Sequence, residues 1–262
     1  MNATNATILD IQNLSMVFGG LRAIDHVSMH INEGEICALI GPNGAGKTTI
    51  FNCITGVYKP TEGSILISRD GNNKEEINGL KPNVINKKGL ARTFQNIRLF
   101  SNMSVLENVM IGRHNSLNAG IFKAIIRDKA TREEEQKLIE DSYEILKKMK
   151  LEMFVNEMAK NLPYGAQRRL EIARALATEP FLLLLDEPVA GMNPQETKEL
   201  EETINLIRDR EKITILLIEH DMSLVMNVSE RIYVLDYGQL IAEGTPMEIK
   251  SNPDVIKAYL GE

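Results

Sequence analysis

A lysine and two threonines close a glycine-rich stretch, GPNGAGKTT at residues 41–49, and that combination can bind phosphate. Gly41, Gly44 and Gly46 reach backbone conformations that residues with a Cβ avoid, so successive N–H groups can converge on anionic oxygens. Pro42, Asn43 and Ala45 fill the loop between them, and Thr49 follows it. Lys47 is spaced for its ammonium to meet β- and γ-phosphates, and Thr48 offers a hydroxyl to Mg²⁺. Upstream lies the apolar run ICALI (36–40); downstream, TTIFNCITG carries helical spacing at Ile50, Phe51 and Ile54. Strand, loop and helix in that order aim a helix's positive end at the same anions. The stretch predicts a nucleoside triphosphate site.

A second chemical pair is Asp186 and Glu187. They end the run FLLLL (181–185), whose five consecutive apolar residues read as a strand buried on both faces. Carboxylates at the carboxyl edge of such a strand sit where α/β sheets gather their ligand chemistry. Asp186 is expected to hold Mg²⁺ through water, and Glu187 to polarise the attacking water as general base. Two further polar residues stand at strand ends: Gln95 after GLARTF, and His220 two residues beyond ITILLI. On its own, each reads as an ordinary polar residue. Phe18, before the turn pair Gly19 and Gly20, either belongs to the core or stacks on a base.

The elements that must hold these groups follow from pattern. Ile8, Ile11 and Leu14 mark a first strand; Leu21, Ala23, Val27, Met29 and Ile31 suggest one side of a second, broken at Asp25. Two strands in quick succession predict a small antiparallel sheet beside the nucleotide site. Gly56 and Pro60 end the loop helix. GSILI is a short strand, and RDGNNKEEINGLKPNVINKKG is read as a polar excursion. From Met103 to about Asn161 the texture turns helical, opened by Ser104 with Glu107 three residues on. There Leu138, Ser142, Ile145 and Met149 form a stripe, and Glu144 pairs with Lys148 at i,i+4 spacing. Gly165 is expected to end a loop before the helix RRLEIARALA, with Leu170, Ala173 and Leu176 inward. Asn193 caps a helix with Pro194 in its first turn and Leu200, Ile204 and Ile207 along its stripe. A hairpin around Asp236 to Gly238 and short helical pieces close the chain.

Composition bounds the rest. The 262 residues, 43% hydrophobic and 25% charged, suit a globular protein, and the net charge of −6 argues against nucleic acid as the main ligand. No apolar run approaches the roughly 18 residues of a membrane span, and the opening MNATNATILD lacks a signal peptide's regions. A cytoplasmic protein is expected, linked to a membrane only through a partner. Cys37 and Cys53 have neither zinc nor disulfide spacing and read as buried thiols.

Taken together, these motifs resemble the ATP-binding subunits of ABC transporters over essentially the whole chain, and more narrowly those of bacterial branched-chain amino acid importers. The loop at 41–48 resembles the Walker A motif, 181–186 the Walker B strand, with Glu187 as the catalytic glutamate. Gln95 is similar to the Q-loop glutamine that reaches Mg²⁺ and water, His220 to the switch histidine, and Phe18 to the aromatic that stacks on adenine. Residues 162–166 occupy the place of the LSGGQ signature, but Pro163, Tyr164 and Ala166 depart from it, leaving Leu162 and Gly165. Asn193 stands where many such proteins carry the D-loop aspartate. LPYG before QRRLEIARAL, AGMNP and NPDVIKAYLG look like the leucine, isoleucine and valine importer subfamily.

The resemblance implies an α/β fold: a P-loop NTPase (RecA-like) core with an antiparallel β subdomain (1–95 and 163–262) and an inserted α-helical subdomain (96–162). It implies ATP and Mg²⁺ as ligands, and a homodimer, or a heterodimer with a sister ATPase, in which Gly165 of one chain faces the nucleotide of the other. Integral membrane permease subunits would be its partners, with a periplasmic or extracellular substrate-binding protein reached indirectly and no nucleic acid. The chain would lie on the inner face of the cell membrane. Other readings are an ABC ATPase of a urea or lipopolysaccharide system, a soluble ABC ATPase acting on nucleic acid or ribosomes, and a small-molecule kinase.

Overall fold

The structure, a computed structural model, describes residues 6–114 and 129–260. The opening five residues and the middle of the helical stretch expected over 103–161 therefore lie outside the described residues.

Strands β1 (Thr7–Phe18) and β2 (Leu21–Asn32) form the expected hairpin, and β3 (Ile36–Ile40) leads into helix α1 (Lys47–Ile54). The inward face of β2 differs from the one its alternation suggests. Leu21 is exposed and Ile24 is fully buried, while Val27, Met29 and Ile31 point inward as expected. The cause is a bulge. Leu14 pairs with Val27 and Met16 with Ile24, so two residues of β2 oppose one of β1, and His26 takes φ 50°. An extra residue reverses which side faces the core.

Strand β4 (Glu62–Ile67) joins this sheet. The segment read as a polar excursion carries structure of its own: β5 (Glu75–Glu76) and helix α2 (Pro82–Lys87). Ile77 and Ile85 are 1% exposed. Each buried isoleucine is worth about 1.5–3 kcal/mol, enough for two apolar residues among polar neighbours to pin short elements.

The second sheet runs β10-β9-β3-β8-β7-β6, from β6 (Leu90–Arg92), β7 (Leu182–Asp186), β8 (Thr214–Ile218), β9 (Arg231–Asp236) and β10 (Gln239–Gly244). All neighbours are parallel except β9 and β10, which close the expected hairpin at Tyr237 and Gly238. The central strands are buried on both faces, as their unbroken apolar runs require. Cys37, Leu39, Leu182 and Leu184 pack toward α1 and the antiparallel sheet; Ala38, Ile40, Leu183 and Leu185 join the core formed with the other helices.

Between β6 and β7 the chain is helical: α3 (Val105–His114), α4 (Lys129–Lys148) and α5 (Tyr164–Leu176), with single 3₁₀ turns before α5. Ser104 and Glu107 bond reciprocally across the start of α3, the capping box their spacing suggested. On α4, Ser142 is buried and Ile145 packs against the core, with Met149 buried just beyond its end, but Lys148 pairs with Glu211 and not with Glu144, which Lys147 takes instead. Exposed pairs differ by less than about 1 kcal/mol, so proximity to the next helix decides the partner. Gly165 lies inside the first turn of α5, because that helix begins at Tyr164. Leu170, Ala173 and Leu176 face inward as expected. Helices α6 (Pro194–Glu211), α7 (Met222–Val228), α8 (Pro246–Ser251) and α9 (Pro253–Leu260) complete the chain. Among the described residues no helix is long and apolar enough to cross a membrane.

Candidate functional site

Strand order brings the chemistry together. β3, β8, β7 and β6 are consecutive neighbours and parallel, so the groups after their carboxyl ends share one edge: the loop at 41–46, His220, Asp186 with Glu187, and Gln95. That edge is where an open parallel sheet places a ligand.

At the loop, φ is +149° at Gly41 and +106° at Gly46. A Cβ on Gly46 would lie 2.5 Å from Ile24 Cδ1, so β2 presses directly on the start of α1. The loop is tied from behind as well: Gly238 N–H donates to Ala45 O at 3.0 Å and Asp25 N–H to Gly238 O at 2.9 Å. No side chain caps α1 and no acidic residue occupies its first turn, so its leading N–H groups have no intrahelical partner and an anion can take them. Lys47 is 6% exposed and lies across the loop, donating to Gly41 O at 2.7 Å and Pro42 O at 3.0 Å. Burial draws its ammonium below the ordinary lysine range, against the opposing pull of Glu187 and Asp186.

Around Glu187 the expected residues converge. Gln95 Nε2 donates to Glu187 Oε2 at 2.7 Å, and His220 Nε2 lies 2.8 Å from Oε1. Glu187 itself takes φ 47°, and its N–H donates to Ile218 O at 2.9 Å, which turns the chain sharply as it leaves β7. Next to His220, buried Glu219 accepts the N–H groups of Val189, His220 and Asp221, tying the turns after β7 and β8 to each other. Burial, against these hydrogen bonds, pushes its carboxyl above the usual range.

Asp186, expected on the metal side, also has a protein partner. Its Oδ2 accepts from Arg92 Nη2 at 2.6 Å, in a pair whose side chains are 7% and 5% exposed. Arg92 was missed because nothing in ARTF distinguishes a buried arginine from a surface one. Arg168 and Glu171 of α5 were likewise missed. Arg168 is fully buried, donates to Phe94 O at 2.6 Å and Gln95 O at 2.8 Å, and pairs with Glu171 at 2.9 Å. Glu171 in turn accepts from the N–H groups of Phe94 and Arg98. The backbone on both sides of Gln95 is thus held by one ion pair of α5. An i,i+3 Arg–Glu pair within QRRLEIAR was the available signal.

Phe18 is 40% exposed at the end of β1 and meets Tyr58 edge-on at 5.1 Å between ring centroids, so it is no core residue. Gly165 lies against Glu196, whose Oε1 would be 2.6 Å from a Cβ there. Asn193 is spent on capping α6: its Oδ1 accepts from Gln195 and Glu196 N–H, each at 3.0 Å.

The donors present suit a hard cation that leans on phosphate and water. Thr48 could offer a hydroxyl, Asp186 its second carboxylate oxygen and Gln95 an amide oxygen, while no cluster of three metal-type side chains exists among the described residues. Mg²⁺ is commonly held in that way, by one or two carboxylates with substrate phosphates.

Comparison with known proteins identifies the family and the fold. Residues 24–190 match the family described as ABC transporter, and residues 239–262 the one described as branched-chain amino acid ATP-binding cassette transporter. The chain is 49% identical over 97% of its length, and 98% of theirs, to the high-affinity branched-chain amino acid transport ATP-binding proteins LivG of Salmonella typhimurium and Escherichia coli K12. A nucleotide-free ATP-binding cassette from an ABC transporter superposes with a TM-score of 0.82 at 33% identity, covering 98% of this chain and 100% of that one. A dimeric bacterial ABC transporter cassette follows at 0.75 and 25%, covering 91% of this chain and 99% of that one. The chain belongs to the ABC transporter family, as one of its ATP-binding, ATP-hydrolysing cassettes.

Proposed function

We propose that this cassette powers an importer of branched-chain amino acids, and that Glu187 is the base that activates water. The observation that carries the catalytic part is the bracketing of one carboxylate by Gln95 and His220 beside the phosphate loop. Held at both oxygens, Glu187 has one orientation, and a base must be within hydrogen-bond reach of the water it activates. Lys47, Thr48, Thr49 and the N–H groups of 41–46 take the phosphates, and exposed Phe18 stacks on adenine. Thr48, Asp186 and Gln95 stand on the metal side; Mg²⁺ bound there would neutralise charge on the β- and γ-phosphates.

The cargo reading rests on the relatives' names and on 49% identity across nearly the full length of both chains. We place Gly165 and the start of α5 on the nucleotide of a second subunit, a copy of this chain or a sister ATPase. Residues 96–162 act as the helical subdomain that meets permease subunits at the inner membrane face. Binding ATP more tightly in the closed dimer than in the open one is what closes it.

Two measurements test this. Glu187→Gln protein, alone or with a sister ATPase, should associate on addition of Mg·ATP and come apart without it, read by light scattering. A species that stays monomeric with both present refutes the clamp. Cells lacking this chain should lose uptake of labelled leucine, isoleucine and valine, and regain it with the unaltered chain but not with Glu187→Gln; undiminished uptake refutes the cargo.

A further inference from the structure

Arg92 belongs to none of the family motifs set out above, yet it touches several separate parts of the site's framework. Nη2 binds Asp186 Oδ2 at 2.6 Å; Nη1 donates to Asn52 Oδ1 at 2.7 Å and to Thr55 Oγ1 at 3.2 Å. Asn52 and Thr55 come from α1 and the residue that ends it, the helix whose first turn carries Lys47 and Thr48. The guanidinium lies over the rings of Phe51, at 5.4 Å, and Phe94, at 5.3 Å, the latter immediately before Gln95. Its Nε is buried without a hydrogen-bond partner. One planar cation therefore spans from the helix that offers Thr48 to the strand end that offers Asp186.

We propose that Arg92 is a positioning residue for Asp186: it pins Oδ2 against α1 and leaves Oδ1 as the oxygen presented to the magnesium shell of the bound nucleotide. A carboxylate terminus turns about its last torsion with little preference. Its direction is set by whatever holds one oxygen, and among the described residues only Arg92 reaches Oδ2. Oδ1 accepts from none of them. Partners that orient a metal's ligand typically govern affinity by 10–100-fold when removed. Lysine cannot substitute, because a point ammonium lacks the fork that reaches Asp186 and Asn52 together. The inference rests on Asp186 being the metal-side carboxylate.

The test is equilibrium binding of a fluorescent ATP analogue to the full chain, first in EDTA and then against increasing Mg²⁺. In Arg92→Lys and Arg92→Met, metal-free affinity should stay within about two-fold of the unaltered chain, while the Mg²⁺ needed for half-maximal tightening rises roughly ten-fold or more. A folded variant with unchanged Mg²⁺ dependence overturns the proposal. So does an equal loss with and without metal, which is what a purely structural pair gives. Should neither variant fold, a crystal structure of the unaltered chain with ADP and Mg²⁺ decides: the Arg92–Asp186 bond intact supports the role, and an opened pair overturns it. If the unaltered chain binds nucleotide with no Mg²⁺ dependence at all, the metal-side assignment of Asp186 is what fails.

Discussion

Gln95 and His220, from turns on two different strands, grip opposite oxygens of Glu187 at 2.7 and 2.8 Å. The two grips are chemically unlike. An amide can only donate from Nε2, whereas the imidazole's role depends on its tautomer. Replacing Glu187 by glutamine keeps the shape and both neighbours and removes the basic oxygen. Turnover should fall by about 10²–10⁴-fold, the range for a lost general base, while equilibrium ATP binding persists. Phosphate release assays and analogue titration separate the two, and near-normal hydrolysis in the variant would exclude Glu187 as base.

Lys47 is folded onto the carbonyls of Gly41 and Pro42 and is nearly buried. Its alanine variant loses the cation proposed to meet the phosphates, along with two ties that shape the loop. Nucleotide affinity should fall at least ten-fold with the melting temperature little changed, because the loop's other anchors at Ala45 and Gly238 remain. Unaltered affinity by calorimetry would remove the lysine from the phosphate site.

The Arg168–Glu171 pair has side chains 0% and 2% exposed. Taking one partner leaves a buried charge, which costs about 3–5 kcal/mol, whereas replacing both with apolar residues of similar volume is far milder. Arg168→Met should therefore destabilise strongly in urea, and Arg168→Met with Glu171→Leu should recover much of that loss. The double variant should still hydrolyse ATP more slowly than the unaltered chain, since the backbone around Gln95 has lost its hold. Full activity there would show that the pair serves stability alone.

Cys37 and Cys53 are both buried. Burial raises the Cys53 thiol to about 11 and carries that of Cys37 well above its ordinary value. The thiolate is the reactive form, so the native chain at pH 8 should resist iodoacetamide for hours and take up two labels once unfolded in guanidinium. Mass spectrometry reads the count; rapid labelling of the folded chain would contradict the packing around β3 and α1.

Local chemistry carried far in this chain. GPNGAGKTT between a strand and a helix, apolar runs with Asp186 and Glu187 at the end of one, and Asn193–Pro194 at a helix start all act within a few residues, so pattern sufficed to place them. Gln95 and His220 were legible only through the family's order of motifs, because one polar residue at a strand end has no local signature. What tertiary structure decided is partnership over distance. A bulge at His26 reverses a strand face, and strand order β3-β8-β7-β6 puts Gln95 and His220 on one carboxylate. Arg92 reaches Asp186 from 94 positions away, and Arg168 the backbone of Gln95 from 73. A buried arginine and a solvated one are the same letter in a sequence. Only packing, which strips the water from one and supplies it a carboxylate, tells them apart.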